Sequence, residues 1–242
     1  GNMGIVKRTK GKYAEALTIF NKVLEINEDI GDQMAIYQSY VNLGNTYRGM
    51  RNFDDALECF EKQISICRRI GSEPGLAQGL NSLGTVYNKM GRYNEAIENL
   101  NKALTLNTKI GNRTEIGNVN GNLGIAYTEI GDFKMALSHY DKVRNIFSDM
   151  GNEFLCSMVD SDTAIVYLLM DKPETAIDKL SPSLEIFNKH GAKSSLAKYS
   201  VVEVEALIDL ERYKEAEKSI STALKFAKEI DDNDLILIST LL

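Results

Sequence analysis

Alanine returns at Ala16, Ala56, Ala96, Ala136, Ala176 and Ala216, six times at a spacing of 40 residues and without a gap. A small residue recurring at a long fixed period marks a chain built from copies of one supersecondary unit rather than around a single hydrophobic centre. The stretch from Leu80 to Gly111, LNSLGTVYNKMGRYNEAIENLNKALTLNTKIG, shows that unit most clearly. Twelve residues before each alanine stand Gly4, Gly44, Gly84, Gly124, Ala164 and Val204, and three before it Tyr13, Phe53, Tyr93, Phe133, Pro173 and Tyr213. A fourth column holds Gly31, Gly71, Gly111, Gly151 and Gly191, broken only by Asp231.

Between these columns the apolar residues fall at helical spacing. Tyr40, Leu43, Gly44, Tyr47 and Met50 make one stripe, and Phe53, Ala56, Leu57, Phe60, Ile64 and Cys67 make another. Each unit therefore reads as two helices, the first over about 33–50 and the second over 53–70 in the second copy. The glycines at 31, 71, 111, 151 and 191 read as helix C-caps, where the left-handed conformation is needed. Small residues in the glycine column are placed where two helices approach closely. Ser181-Pro182 falls inside a second helix, where a proline removes one backbone bond and predicts a kink.

One such helix pair cannot bury both stripes, so neighbouring pairs must stack on a shared core. The expected fold is all-α: a right-handed superhelical solenoid of antiparallel helix pairs, with about six 40-residue repeats in a single domain, 1–242. The repeats run at about 1–31 (partial), 32–71, 72–111, 112–151, 152–191 and 192–231, and 232–242 begins a further helix. Asn2-Met3-Gly4 aligns with Asn42-Leu43-Gly44, so the first copy lacks its opening turns, and the sequence reads as a piece of a longer protein.

Leu83, Gly84, Tyr87, Gly91, Tyr93, Ala96 and Ala103 together resemble the tetratricopeptide repeat, and the resemblance covers essentially the whole chain. It departs from the family pattern in two places. The aromatic near the start of the first helix survives only as Tyr40, its counterparts being Leu80, Asn120, Asp160 and Ser200, and the proline closing the second helix is missing. The 40-residue unit ending in Ile-Gly-Asn or Ile-Gly-Asp is similar to the long-helix variant of Partner-of-Inscuteable-type adaptors, kinesin light chains and Rap-like peptide receptors. The resemblance implies an interaction scaffold that takes a peptide segment or a partner helix along the concave side of its first helices.

On that side, opposite Leu43 and Tyr47, stand Gln38, Val41, Asn45 and Arg48, then Gln78, Asn81, Thr85, Asn88 and Lys89, then Asn118, Gly121, Ile125, Thr128 and Glu129. Amides offer donors and acceptors to an extended main chain. Arg8, Arg48 and Lys89 add positive charge that favours an acidic segment. In the fifth copy the matching residues are Met158, Ser161, Ile165, Leu168 and Leu169, mostly apolar, which suits a hydrophobic anchor. The residues expected to line the groove are thus Arg8, Gln38, Asn45, Arg48, Gln78, Asn81, Thr85, Asn88, Lys89, Asn118, Ile165 and Leu168. A second reading makes the same chain a ligand-sensing regulatory module of a larger signalling protein, and a third lets open solenoid ends self-associate.

A formal charge of -6 argues against a general nucleic-acid binder, which needs a basic face. No run of 18 apolar residues and no leader pattern is visible, so a membrane is not expected as partner. Three unpatterned cysteines, Cys59, Cys67 and Cys156, suit a reducing cytoplasmic setting. Gly117, Gly121 and Gly124 lack the preceding strand of a phosphate loop and are taken to admit a close neighbour. His139 and His190 lie in different copies without ligand pairs, and Ser138, His139 and Asp141 read as contiguous helix surface. No enzyme, metal or cofactor is implied.

Overall fold

A computed structural model describes residues 2–242, and every regular element among them is an α-helix. In chain order these are α1 (Asn2–Thr9), α2 (Tyr13–Ile30), α3 (Gln33–Gly49), α4 (Phe53–Ile70), α5 (Glu73–Lys89), α6 (Tyr93–Ile110), α7 (Arg113–Glu129), α8 (Phe133–Asp149), α9 (Glu153–Leu169), α10 (Pro173–Lys189), α11 (Lys193–Asp209), α12 (Tyr213–Glu229) and α13 (Asn233–Leu241). Odd-numbered helices are the first members of the repeats and even-numbered helices the second. The chain forms two compact units, Gly1–Ile130 and Gly131–Leu242. Within each unit, consecutive helices pack on one another, and odd-numbered helices also touch: α1 with α3 and α5 with α7 in the first unit, α9 with α11 and α11 with α13 in the second.

The turns explain the period. Gly31, Gly71, Gly111, Gly151 and Gly191 all have positive φ, and Asp231 adopts the same conformation at 54° where the glycine column breaks. A second column, at Gly11, Arg51, Gly91, Gly131, Asp171 and Glu211, is also left-handed and closes the odd-numbered helices. The backbone thus repeats every 20 residues while the side chains repeat every 40. Directly after the first column, Asp32, Ser72, Asn112, Asn152 and Asp232 cap α3, α5, α7, α9 and α13 by accepting backbone N–H bonds. Among the odd helices whose start is described, only α11, preceded by Ala192, has no side-chain cap; such a cap is worth about 1 kcal/mol.

The alanine column is the tightest part of the core, its six members being 0–3% exposed. The glycine column meets a large residue of the following even helix. A Cβ on Gly4, Gly44 or Gly84 would lie 2.5–2.7 Å from Phe20, Phe60 or Leu100 respectively. In the second unit Ala164 packs in the cluster containing Leu180, and Val204 in the one that Ile220 joins. Aromatic partners occur only opposite glycine among these pairs, and Ala164 and Val204 have aliphatic partners.

Two expectations are corrected here. Gly121 admits no close neighbour, since a Cβ there would meet nothing within 4 Å. Val41 and Ser161, expected on the groove side, are buried at 5% and 0% exposure. Around Pro182, α10 continues unbroken from Pro173 to Lys189. Pro182 and Asp178, whose carbonyl loses its helical donor, are both exposed, so water can take the vacant acceptor.

Gly44→Ala is expected to lower stability by about 1–3 kcal/mol, because Phe60 is fully buried and cannot yield to the added methyl. Gly121→Ala, in open space within α7, is expected to raise stability by roughly 0.5–1 kcal/mol. Urea unfolding followed by circular dichroism measures both, and a neutral Gly44→Ala would disprove the close-approach account.

Candidate functional site

In the first unit α1, α3 and α5 each end with a cation in the last turn: Arg8, Arg48 and Lys89. These ends converge with the starts of α2 and α4 on a cavity of about 630 Å³, lined by Arg8, Tyr13, Asn45, Arg48, Gly49, Arg51, Phe53, Thr85 and Lys89. Helical spacing puts Asn45 with Arg48 on one face of α3 and Thr85 with Lys89 on one face of α5. Gly49 lets the Tyr13 ring sit close, since a Cβ there would be 2.8 Å from it.

Four cations and no carboxylate line this cavity. Among the described residues, no acid pairs with Arg8, Arg48 or Lys89. Burial lowers the pKa of the Arg48 guanidinium, and repulsion from Arg8 lowers it further. The Arg8 Nε is buried without a hydrogen-bond partner. Arg8 and Arg48 thus repel one another at the cavity, and part of the hydrogen-bonding capacity of Arg8 is unused.

The expected groove residues fall into four groups, with Thr85 belonging to two of them. Arg8, Asn45, Arg48, Thr85 and Lys89 line the cavity. Gln78, at the surface, and Asn81, Thr85 and Asn88, half-buried, are bonded to other residues of the protein. Asn122 Nδ2 donates to Asn81 Oδ1 at 2.9 Å and to Thr85 Oγ1 at 3.2 Å, and Asn88 Nδ2 donates to the Asn122 carbonyl at 2.9 Å. These bonds tie α5 to α7, while the Tyr37 hydroxyl ties α3 to α5 by donating to Gln78 Oε1 at 2.6 Å. Asn88 Oδ1 stays buried without a partner. Gln38 and Asn118 are exposed, and Asn118 Nδ2 bonds only Glu115 of its own helix. Ile165 and Leu168 lie in the second unit, half-buried against the cluster of Leu180, Phe187, Leu196 and Tyr199, whereas Leu169 is 56% exposed.

The sequence reading missed Tyr13, Gly49, Arg51, Phe53 and Asn122. Tyr13 and Phe53 were legible only as members of the aromatic column, whose period points to packing. Asn122 directly precedes the Leu-Gly pair, where Asn42 and Ser82 stand in other copies, and only its facing partners reveal its role.

His139 is corrected from surface to interior: it is 4% exposed, while Ser138 and Asp141 beside it are exposed. Burial, with Lys142 as a lesser cause, lowers its pKa from 6.5 to about 4. Among the described residues no group of three or more His, Cys, Asp or Glu is placed to hold a metal ion, and no helix is long and apolar enough to cross a membrane.

The family sequence model described as Tetratricopeptide repeat matches residues 1–69, 33–109 and 75–149. Among curated proteins no sequence matches the chain. Solved structures do. A Rap protein complexed with Competence and Sporulation Factor superposes with a TM-score of 0.77 at 14% identity, over 88% of this chain and 60% of that one. The Rap conjugation gene regulator of the plasmid pLS20, in complex with the Phr* peptide, gives 0.74 at 14% identity, over 86% of this chain and 58% of that one. Putative kinesin light chain repeats from Podosopora anserina give 0.62 at 16% identity, over 78% and 93%. At these identities the likeness speaks to the fold, and the chain spans about 60% of the Rap protein's length.

Two tests follow from this geometry. Asn122→Ala leaves Asn81 and Thr85 without their shared donor and is expected to cost about 1 kcal/mol in urea unfolding; an unchanged midpoint would remove the α5–α7 tie. For His139, the unfolded chain takes up a proton near pH 6.5 and the folded chain only near pH 4, so stability falls as pH drops through that window. The loss reaches on the order of 3 kcal/mol, and His139→Gln should flatten this part of the stability profile.

Proposed function

Because the chain belongs to the tetratricopeptide repeat family, we propose that it is a protein-interaction scaffold that holds an extended peptide segment across the odd-numbered helices of its first unit. The observation that carries this reading is the cavity where Arg8, Arg48 and Lys89 meet without an acid of their own. An acidic part of the segment sits there, and Asn45 contacts its main chain. Gln38 and Asn118, exposed on the same helices, extend the contact surface. In the second unit Leu169, exposed, with Ile165 and Leu168, half-buried, offers a separate apolar contact surface.

The wider assignments rest on separate supports. The 40-residue period passes from Ala96 to Ala136 to Ala176 without a shift, which supports one repeat domain over 1–242. Three free cysteines, with the Cys59 thiol pushed up to about 11 by burial, support a reducing cytoplasmic setting and a structural rather than reactive role. The charge of -6 supports a protein ligand over nucleic acid. The likeness to a Rap regulator in complex with the Phr* peptide favours a second reading, in which this chain is the ligand-sensing part of a larger signalling protein.

Two degenerate synthetic peptide pools test the scaffold reading, one rich in Asp and Glu and one rich in Lys and Arg. The acidic pool is expected to bind in a salt-dependent manner, and Arg48→Glu with Lys89→Glu is expected to weaken it by about tenfold or more with unchanged circular dichroism. Equal binding of both pools, or equal binding by the double variant, would move the site away from this cavity.

A further inference from the structure

We propose that the cavity between α1, α3 and α5 takes a phosphoryl group carried on a serine or threonine of the bound segment, an inference that rests on the scaffold reading above. Charge balance is the first argument. Arg8, Arg48 and Lys89 meet there with no acid paired to any of them, so one carboxylate would neutralise a single charge of three. A phosphoryl group brings about -1.5 to -2 and three acceptor oxygens.

Donor count is the second argument. The guanidinium forks of Arg8 and Arg48, the Lys89 ammonium and the Asn45 amide converge from three helices, with more N–H groups than the two oxygens of a carboxylate can accept. The Arg8 Nε, buried and unsatisfied, is the clearest vacancy in that set. Thr85 adds no donor, because its hydroxyl proton already goes to the Asn81 carbonyl at 2.9 Å.

Shape is the third argument. The cavity, about 630 Å³, lies within the roughly 300–1,000 Å³ of ligand pockets, so a lone ion would leave most of it unfilled. The rings of Tyr13 and Phe53 form an apolar wall beside the cations. They suit the carbon stem of a side chain, and by excluding water they strengthen the charge interaction.

The test uses degenerate peptide pools identical except for a fixed central residue: phosphoserine, glutamate or serine. Binding to the whole chain is followed by titration calorimetry, with inorganic phosphate as a separate titrant and competitor. The phosphoserine pool is expected to bind about tenfold or more tighter than the glutamate pool, and inorganic phosphate to compete with it. Arg48→Ala and Lys89→Ala should each reduce that preference. Lys102→Ala, which removes an exposed charge from the same unit outside the cavity, should leave it intact. Equal, Arg48-dependent binding of the glutamate and phosphoserine pools would overturn the phosphoryl assignment and leave the acidic-segment reading standing. Binding of inorganic phosphate with no gain from the peptide would reduce the cavity to an ion site and overturn the proposal. No binding by any pool would overturn both readings.

Discussion

The contact on which the rest of each unit depends is the seating of a large even-helix side chain on a missing one. Phe20 on Gly4, Phe60 on Gly44 and Leu100 on Gly84 bring paired helices so close that a methyl group would clash. Glycine in a helix interior costs about 1 kcal/mol relative to alanine, so its recurrence means that burying the ring returns more than the helix loses. Alanine twelve residues later serves the same approach from the other side. Where the second unit abandons glycine, Ala164 packs in the cluster of Leu180 and Val204 in the one that Ile220 joins, both with aliphatic rather than aromatic partners. In the first unit α1, α3 and α5 are thereby seated alike on α2, α4 and α6, and the row of helix ends that forms the cavity inherits that order.

The cations of the cavity are tolerated because of where the helices stop. Arg8, Arg48 and Lys89 all sit in last turns, where the exposed carbonyls of α1, α3 and α5 carry partial negative charge. Three helix termini pointing the same way hold three positive side chains that would otherwise drive one another apart. The compensation is incomplete, since carbonyl dipoles supply only a fraction of a charge each and leave the Arg8 Nε without an acceptor. What remains is a cavity lined by cations with one guanidinium nitrogen unpartnered.

Much of this was legible in the sequence, because a repeated error-free period averages out local ambiguity. The helix starts at Phe53, Tyr93 and Tyr213 and the left-handed glycines at 31, 71 and 111 follow from columns alone. The other turn column was hidden, since Arg51, Asp171 and Glu211 adopt positive φ with no compositional sign of it. His139 was misplaced for a related reason: its column reads Ile19, Cys59, Asn99, Lys179 and Ser219 in the other copies, a mixture with no consistent polarity. For the site, charge at 8, 48 and 89 was readable, but whether an amide faces solvent or a neighbour is decided by tertiary pairing. Asn81 and Asn88 are spent on Asn122, whereas Asn45, one copy earlier on the same face, lines the cavity.

The two nested rhythms, backbone every 20 residues and side chains every 40, have a consequence for how such a chain can change its length. Loss or gain of one helix with its turn would keep every later turn in place yet set glycine columns against glycine columns, leaving the large side chains without their recesses. Loss or gain of two would restore the match at once. The protein can therefore be lengthened or shortened by duplication only in whole pairs, and the helix pair, rather than the helix, is its heritable building block.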